Sequence, residues 1–419
     1  MRAHRYRLPL AIVAAVVAAG AVTLLLRPRG GLIDPAAVDA TAYFSAEQLD
    51  RARDFRGPQR AIAIAGLVAS AGTLALVALR PPAWAQGMLD AAAARPLAGA
   101  AAAGAGLGLT LTIVTLPLDA IAHARGVDVG LSTQGFGAWL LDLAKSAAIG
   151  AAFAAAGAVL AIALIRRFPR NWWAPGSAAI VVISAIFVYA GPVVLDPIFN
   201  RFEPLPDGRL RASVVDLADR AGVDVGEVYR VDASRRTTGA NAYVGGLGPT
   251  KRVVLYDNLI EGFSEDEVRS VVAHELAHVE NRDVPRGLLW LAIVAPPGML
   301  LVQRLTELVE RRGGRVARAG RPIPATAAML PALALSFAVV SFAGGVASNA
   351  LSRQVEARAD AFALDLTREP AAFIALERSL AVRNVSEPDP PALLHDVLGT
   401  HPTTLERIGY GLSWASSRE

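Results

Sequence analysis

Seven apolar stretches punctuate the chain, at about 8–26, 61–79, 97–116, 147–165, 178–195, 288–302 and 325–347, each approaching the length a helix needs to cross a bilayer. The sixth is the least regular, being short and interrupted by Pro296 and Pro297. Two polar regions break the pattern, Asp196 to Arg286 and Ser352 to the C-terminus. In the first, apolar spacing predicts a helix over Leu210–Ala221. Alternation predicts short strands at Val228–Val231 and Arg252–Tyr256, with an extended Ala242-Tyr243-Val244 and the turn material Gly245-Gly246-Leu247-Gly248 between them. The second region reads as mostly helical. Neither is large enough to act alone, so the two are expected to close together over one site. The expected organisation is a membrane region with five spans (1–195), a polar segment (196–287), spans six and seven (288–350) and a C-terminal polar segment (351–419). The fold class is mostly α: a seven-span helical membrane protein with a small β element.

Composition agrees. Of 419 residues 53% are hydrophobic, and mean hydropathy is +0.40, which marks an integral, multi-pass membrane protein whose first partner is the lipid bilayer. Arg2, Arg5 and Arg7 precede the first span, and Arg27-Pro28-Arg29 follows it where a cleavage site would need small residues, so an uncleaved helix is expected. Glycines such as Gly104, Gly106 and Gly108 suit close helix packing. Few ionisable residues lie within the spans, so no ion pathway or proton relay is marked.

The net charge of +4 and pI near 9.7 do not indicate a nucleic-acid partner, because the cations are dispersed or flank apolar spans. Only Lys145 and Lys251 are lysines among 41 cations, a GC-rich coding bias that points to a bacterial cell membrane. There is no cysteine, which excludes disulfides, iron–sulfur clusters and thiolate zinc sites.

The chemistry is concentrated in His274-Glu275-Leu276-Ala277-His278. Ser264 and Glu267 have the spacing of a capping box, and Val268, Val271, Val272, Leu276 and Val279 form an apolar stripe, so a helix from about Glu265 to Asn281 is predicted. Two imidazoles four residues apart on it face one way and can grip a single metal ion. Glu275 is displaced from their shared face and cannot join them as a ligand, which suits it to act as general base on a metal-activated water. A hydrolytic zinc site needs a third protein ligand. Glu356, in Glu356-Ala-Arg-Ala-Asp360, is the best candidate, with Asp360 one turn on and able to accept from a ligand histidine. Spacing alone leaves open that this pair is a solvated helix face.

These motifs, with Asn241-Ala-Tyr243 before Lys251-Arg-Val-Val-Leu-Tyr256 and the terminal His401-Pro402 and Arg407-Ile408, resemble the type I CAAX prenyl proteases, seven-span zinc metallopeptidases related to the HtpX-type proteases. The resemblance covers essentially the whole chain. It implies a gluzincin-type zinc-protease domain holding one Zn2+ per chain through His274, His278 and Glu356. It also implies that His401 stabilises the oxyanion and that Asn241 holds substrate near the metal. Arg407 is expected to pair with Glu356 or Asp360, and Tyr243 to serve either packing or substrate contact. The strand itself could receive an extended peptide by edge pairing. His4, His123 and His395 are read as ordinary surface or core histidines.

The resemblance further implies a water-filled intramembrane chamber with the metal at its edge, and polypeptide substrates, some of them membrane-associated. A noncatalytic membrane scaffold or transporter with a decayed protease fold is the competing class, and the intact motif argues against it. Sidedness receives two opposed expectations. Fourteen arginines on the loops that share a side with the N-tail, against eight cations on the opposing short loops, place the N-terminus in the cytoplasm and the site outside. The resemblance implies the reverse.

Overall fold

The computed structural model describes residues 7–246, 251–313 and 325–418. The helices α1 (Arg7–Leu26), α2 (Ala46–Leu79), α3 (Ala83–Ala93), α4 (Pro96–Asp128), α5 (Phe136–Arg167) and α6 (Trp173–Val194, continued by the short α7, Asp196–Phe199) build the N-terminal membrane region. The first polar segment holds β1 (Phe202–Pro204), α8 (Arg209–Arg220), β2 (Glu227–Val231), β3 (Ala242–Gly245), β4 (Arg252–Tyr256), α9 (Asp257–Gly262) and α10 (Glu265–Glu280). The chain re-enters the membrane through α11 (Asp283–Arg312) and α12 (Leu330–Thr367), and closes with α13 (Pro370–Arg383), α14 (Ala392–Leu398) and α15 (Thr404–Ser416).

Seven helices among the described residues are long and apolar enough to cross a membrane. Their outward faces carry unpartnered apolar side chains, such as Val13, Val16 and Leu25 of α1, as a helix facing lipid should. The irregular sixth segment is one 30-residue helix with Pro296 and Pro297 inside it. The missing N–H donors are tolerated because packing holds the helix: Trp290, Met299 and Val302 are buried against neighbouring helices, and the Trp290 indole N–H donates to Thr23 Oγ1 of α1 at 3.0 Å. Packing is close where α4 meets α5. A Cβ at Gly104 would lie 2.5 Å from the Ala154 carbonyl oxygen, so only glycine fits. His123 lies within α4 and stacks on Trp139 with ring centroids 4.9 Å apart. An apolar cavity of about 440 Å³ opens among α4, α5, α6 and α12, and no residue of the HExxH motif lines it.

The four-stranded sheet has the order β1-β2-β4-β3, with β2 and β4 parallel and the outer pairs antiparallel. Three-residue β1 escapes sequence detection because it is too short to show alternation, and Pro204 is tolerated because the strand is at an edge. One sheet face packs on α8 and α10 through Val214, Leu217, Val253, Leu255, Val272 and Leu276, all completely buried. α10 begins as its sequence predicts: Ser264 Oγ accepts from the Glu267 N–H, and the Glu267 carboxylate accepts from the Ser264 N–H at 2.8 Å.

The polar segments lie on one side of the bundle together with two inter-span loops. Ala36 N–H donates to Gly409 O at 3.2 Å, and Thr238 N–H donates to Leu131 O at 3.0 Å. Seven spans put the start of α1 on the opposite side. Leu247, Gly248, His4 and the arginines Arg2, Arg5, Arg315, Arg318 and Arg321 lie outside the described residues.

Candidate metal centre

One turn of α10 separates His274 from His278, so their rings project together and their Nε2 atoms stand 3.3 Å apart. α12 continues past its membrane-spanning part without a break. Its 38 residues extend about 57 Å, long enough to carry both a span and a further two turns beside α10. Those turns bring Glu356 Oε2 to 3.1 Å from His274 Nε2 and 3.7 Å from His278 Nε2. Around a tetrahedral zinc with ligands at 2.0–2.1 Å, donor atoms are separated by about 3.4 Å. The three edges observed here bracket that value, so the donor set fits the metal in chemistry and in spacing.

The outer ring nitrogens are held as well. His274 Nδ1 lies 2.8 Å from Asp360 Oδ1, and His278 Nδ1 lies 3.0 Å from Asp283 Oδ2. Each carboxylate orients its ring and leaves Nε2 free for a metal. Asp360, fully buried, is in turn bound by Arg407, whose Nε donates to Oδ2 at 2.9 Å and whose Nη2 donates to Oδ1 at 2.5 Å. Arg407 Nη1 also reaches the buried Glu377 at 2.8 Å. Arg358 Nη2 donates to Asp283 Oδ1 at 2.5 Å.

The site's field favours a cation. Burial would depress both histidines, but hydrogen bonds donated to Asp360 and Glu356 push His274 up to about 10, and those donated to Asp283 and Glu356 push His278 up to about 9. Protons thus stand in for the positive charge the carboxylates demand. Burial raises the Glu275 carboxyl above its ordinary value, a shift suited to a group that must accept a proton.

Of the other expected residues, His401 is brought close: its Nε2 is 3.3 Å from Glu356 Oε2, and its side chain is 57% exposed, open to a substrate. Arg407 pairs with Asp360 and not with Glu356. Asn241 is exposed at the start of β3, the strand that packs beside α10. Tyr243 is half-buried, and its hydroxyl donates to Asp196 Oδ2 at 2.9 Å. Asp283, Glu377 and Arg358 are absent from the sequence expectations. Asp283 follows a break at Arg282, which takes the left-handed φ of 54°, so helical spacing from His278 could not find it. Glu377 lies outside every motif, and Arg358 stands inside Glu356-Ala-Arg-Ala-Asp360 with no role read for it from spacing.

Comparison with known proteins places the chain in a family. Residues 204–411 match the model described as peptidase family M48, and residues 37–201 the model described as CAAX prenyl protease N-terminal, five membrane helices. The chain is 34% identical over 296 residues to the uncharacterized metalloprotease YhfN of Bacillus subtilis, covering 70% of this chain and 68% of that protein. It is 36% identical over 151 residues to CAAX prenyl protease 1 of Saccharomyces cerevisiae, a match spanning 35% of this chain and only 32% of the yeast protein. The crystal structure of S. mikatae Ste24p superposes with a TM-score of 0.76 over 97% of this chain and 99% of that one, and at 20% identity it shows a shared fold. By these matches and its seven spans, the chain is an integral-membrane metalloendopeptidase belonging to peptidase family M48.

Proposed function

We infer that the protein is a zinc-dependent endopeptidase in which His274, His278 and Glu356 hold the metal and Glu275 is the general base. The observation that carries this reading is the triangle of two Nε2 atoms and one carboxylate oxygen, 3.1 to 3.7 Å on its edges, with the half-buried Glu275 on the same helix. Bound there, zinc supplies Lewis acidity toward a peptide carbonyl and a water molecule. Glu275 takes one proton from that water as its oxygen bonds to the carbonyl carbon, and returns a proton to the amine nitrogen as the C–N bond breaks. His401, exposed beside Glu356, donates to the oxygen that gains negative charge. Asn241 and the free edge of β3 hold the extended substrate, with backbone pairing that tolerates many sequences.

The substrates are polypeptides presented at the membrane that the seven helices span. Relatives bear the name CAAX prenyl protease, whereas the chain's arginine-rich composition and its match to a Bacillus protein support general polypeptide cleavage in a bacterial cell membrane. Glu275→Gln tests the reading, since it keeps size and polarity and removes the base. Peptide hydrolysis should collapse while zinc content stays near one per chain. Hydrolysis at the wild-type rate would remove Glu275 from the role, and a wild type that binds no zinc would favour a noncatalytic scaffold.

A further inference from the structure

β3 pairs with β4 on one side only and is the outermost strand of the sheet. The Tyr256 N–H donates to Asn241 O at 3.1 Å. Antiparallel alternation therefore turns the main-chain groups of Ala240, Ala242 and Val244 toward the opposite, free edge. At Ala240 that edge is already closed. Its N–H donates to Asn384 Oδ1 at 3.0 Å, and Asn384 Nδ2 donates to its carbonyl at 3.3 Å. One side-chain amide makes both bonds that a neighbouring strand would make, and among the described residues the buried Ala242 and the half-buried Val244 are the next main-chain positions on that edge.

The corner that presents Asn384 is constrained. Val385 is buried and adopts a φ of 49°, a left-handed conformation disfavoured for a β-branched residue. Arg56 of α2 grips both residues, with Nη2 donating to Asn384 O at 2.5 Å and Nε to Val385 O at 2.8 Å. Arg60, one turn further along α2, pairs with Glu387. A Cβ at Gly239 would lie 2.9 Å from Asn384 Oδ1, so the residue before Ala240 has to be glycine for the amide to approach this closely. Strain of this kind persists only where its surroundings enforce it, and here a membrane helix supplies the enforcement.

The geometry points to Asn384 as a positioning residue for the substrate. It caps the receiving edge at Ala240, so that an extended peptide pairs across Ala242 and Val244 and turns away before Ala240. Arg56 holds the cap in place from the second membrane helix. The inference rests on the peptidase reading above and adds to it what limits the substrate's run along the strand.

The test uses full-length, zinc-loaded protein and an unstructured polypeptide whose cleavage products are identified by mass. Asn384→Ala should raise KM about tenfold, the effect of losing a hydrogen-bonded positioning contact, with kcat little changed and new products beside the wild-type cleavage site. Asn384→Asp keeps the acceptor for the Ala240 N–H and loses the donor, so it should fall between. It carries the same test if the alanine variant does not fold. Amide hydrogen exchange should quicken at 240–244 in both variants, with zinc content unchanged. Arg56→Lys, which cannot bridge two carbonyls in the same fork, should move KM and the product pattern in the same direction. Wild-type KM and a wild-type product pattern in Asn384→Ala, whatever its thermal midpoint, would make the residue a folding contact and overturn the inference alone. A wild-type protein that cleaves nothing would overturn the peptidase reading, and this inference with it.

Discussion

Asp283 holds Nδ1 of His278 at 3.0 Å and is the first residue of the sixth membrane helix. A histidine of the proposed donor set on α10 is thereby oriented by the membrane region, while its partner His274 is oriented by Asp360 on the seventh. Both rings are aligned by helices that enter the bilayer, so the bundle acts as the frame of the site.

Asp283→Ala should therefore weaken zinc binding by about 10–100-fold, the usual cost of losing a carboxylate behind a ligand histidine. Competition with a chromophoric chelator measures this. The neighbouring Arg286→Ala, which loses only a half-exposed ion pair to Asp283 at 3.9 Å, should leave affinity near the wild-type value.

The metal-free and metal-loaded proteins should respond to pH with opposite signs. In the metal-free protein His274 and His278 bind protons more tightly folded, at about 10 and about 9, than at their ordinary 6.5. Their contribution to stability is fully present below 6.5 and is lost as pH rises through 9 and 10. Zinc needs both rings neutral, so protons compete with it and loaded protein should lose its metal on acidification. Thermal unfolding with and without chelator, stepped from pH 6 to pH 10, reads both slopes. Parallel slopes would mean that the histidines do not share a cation site.

His401→Ala should retain zinc, because the ring is no member of the donor triangle, and should lower turnover about 100-fold, as loss of an oxyanion partner does. An unchanged turnover would leave His401 a surface residue near Glu356.

Gly104→Val tests the membrane packing. Its Cβ would lie 2.5 Å from the Ala154 carbonyl oxygen and 2.6 Å from the Ala158 Cβ, forcing α4 and α5 apart. A loss of about 1–3 kcal/mol is expected, read as a lower midpoint of thermal inactivation in detergent, with zinc stoichiometry of the surviving fraction unchanged.

What could be read from the sequence was local. The α10 capping box, the two histidines one turn apart and the apolar stretches are written in spacings of three or four residues and in runs of about twenty, and each produced the element it predicted. The prolines in the sixth stretch argued against a full-length helix, and neighbouring helices overrode them by burying Trp290, Met299 and Val302. The meeting of Glu356 with His274 spans 82 residues of chain, and that of Arg407 with Asp360 spans 47. No periodicity carries such information, so the motif resemblance suggested the first pair and left two partners open for Arg407. Asp283 behind His278, Glu377 beneath Arg407 and Asn384 closing the edge at Ala240 were decided by the tertiary structure alone. The physical reason is that a buried charge or an open strand edge must find its partner wherever packing brings one, and packing is set by the whole bundle.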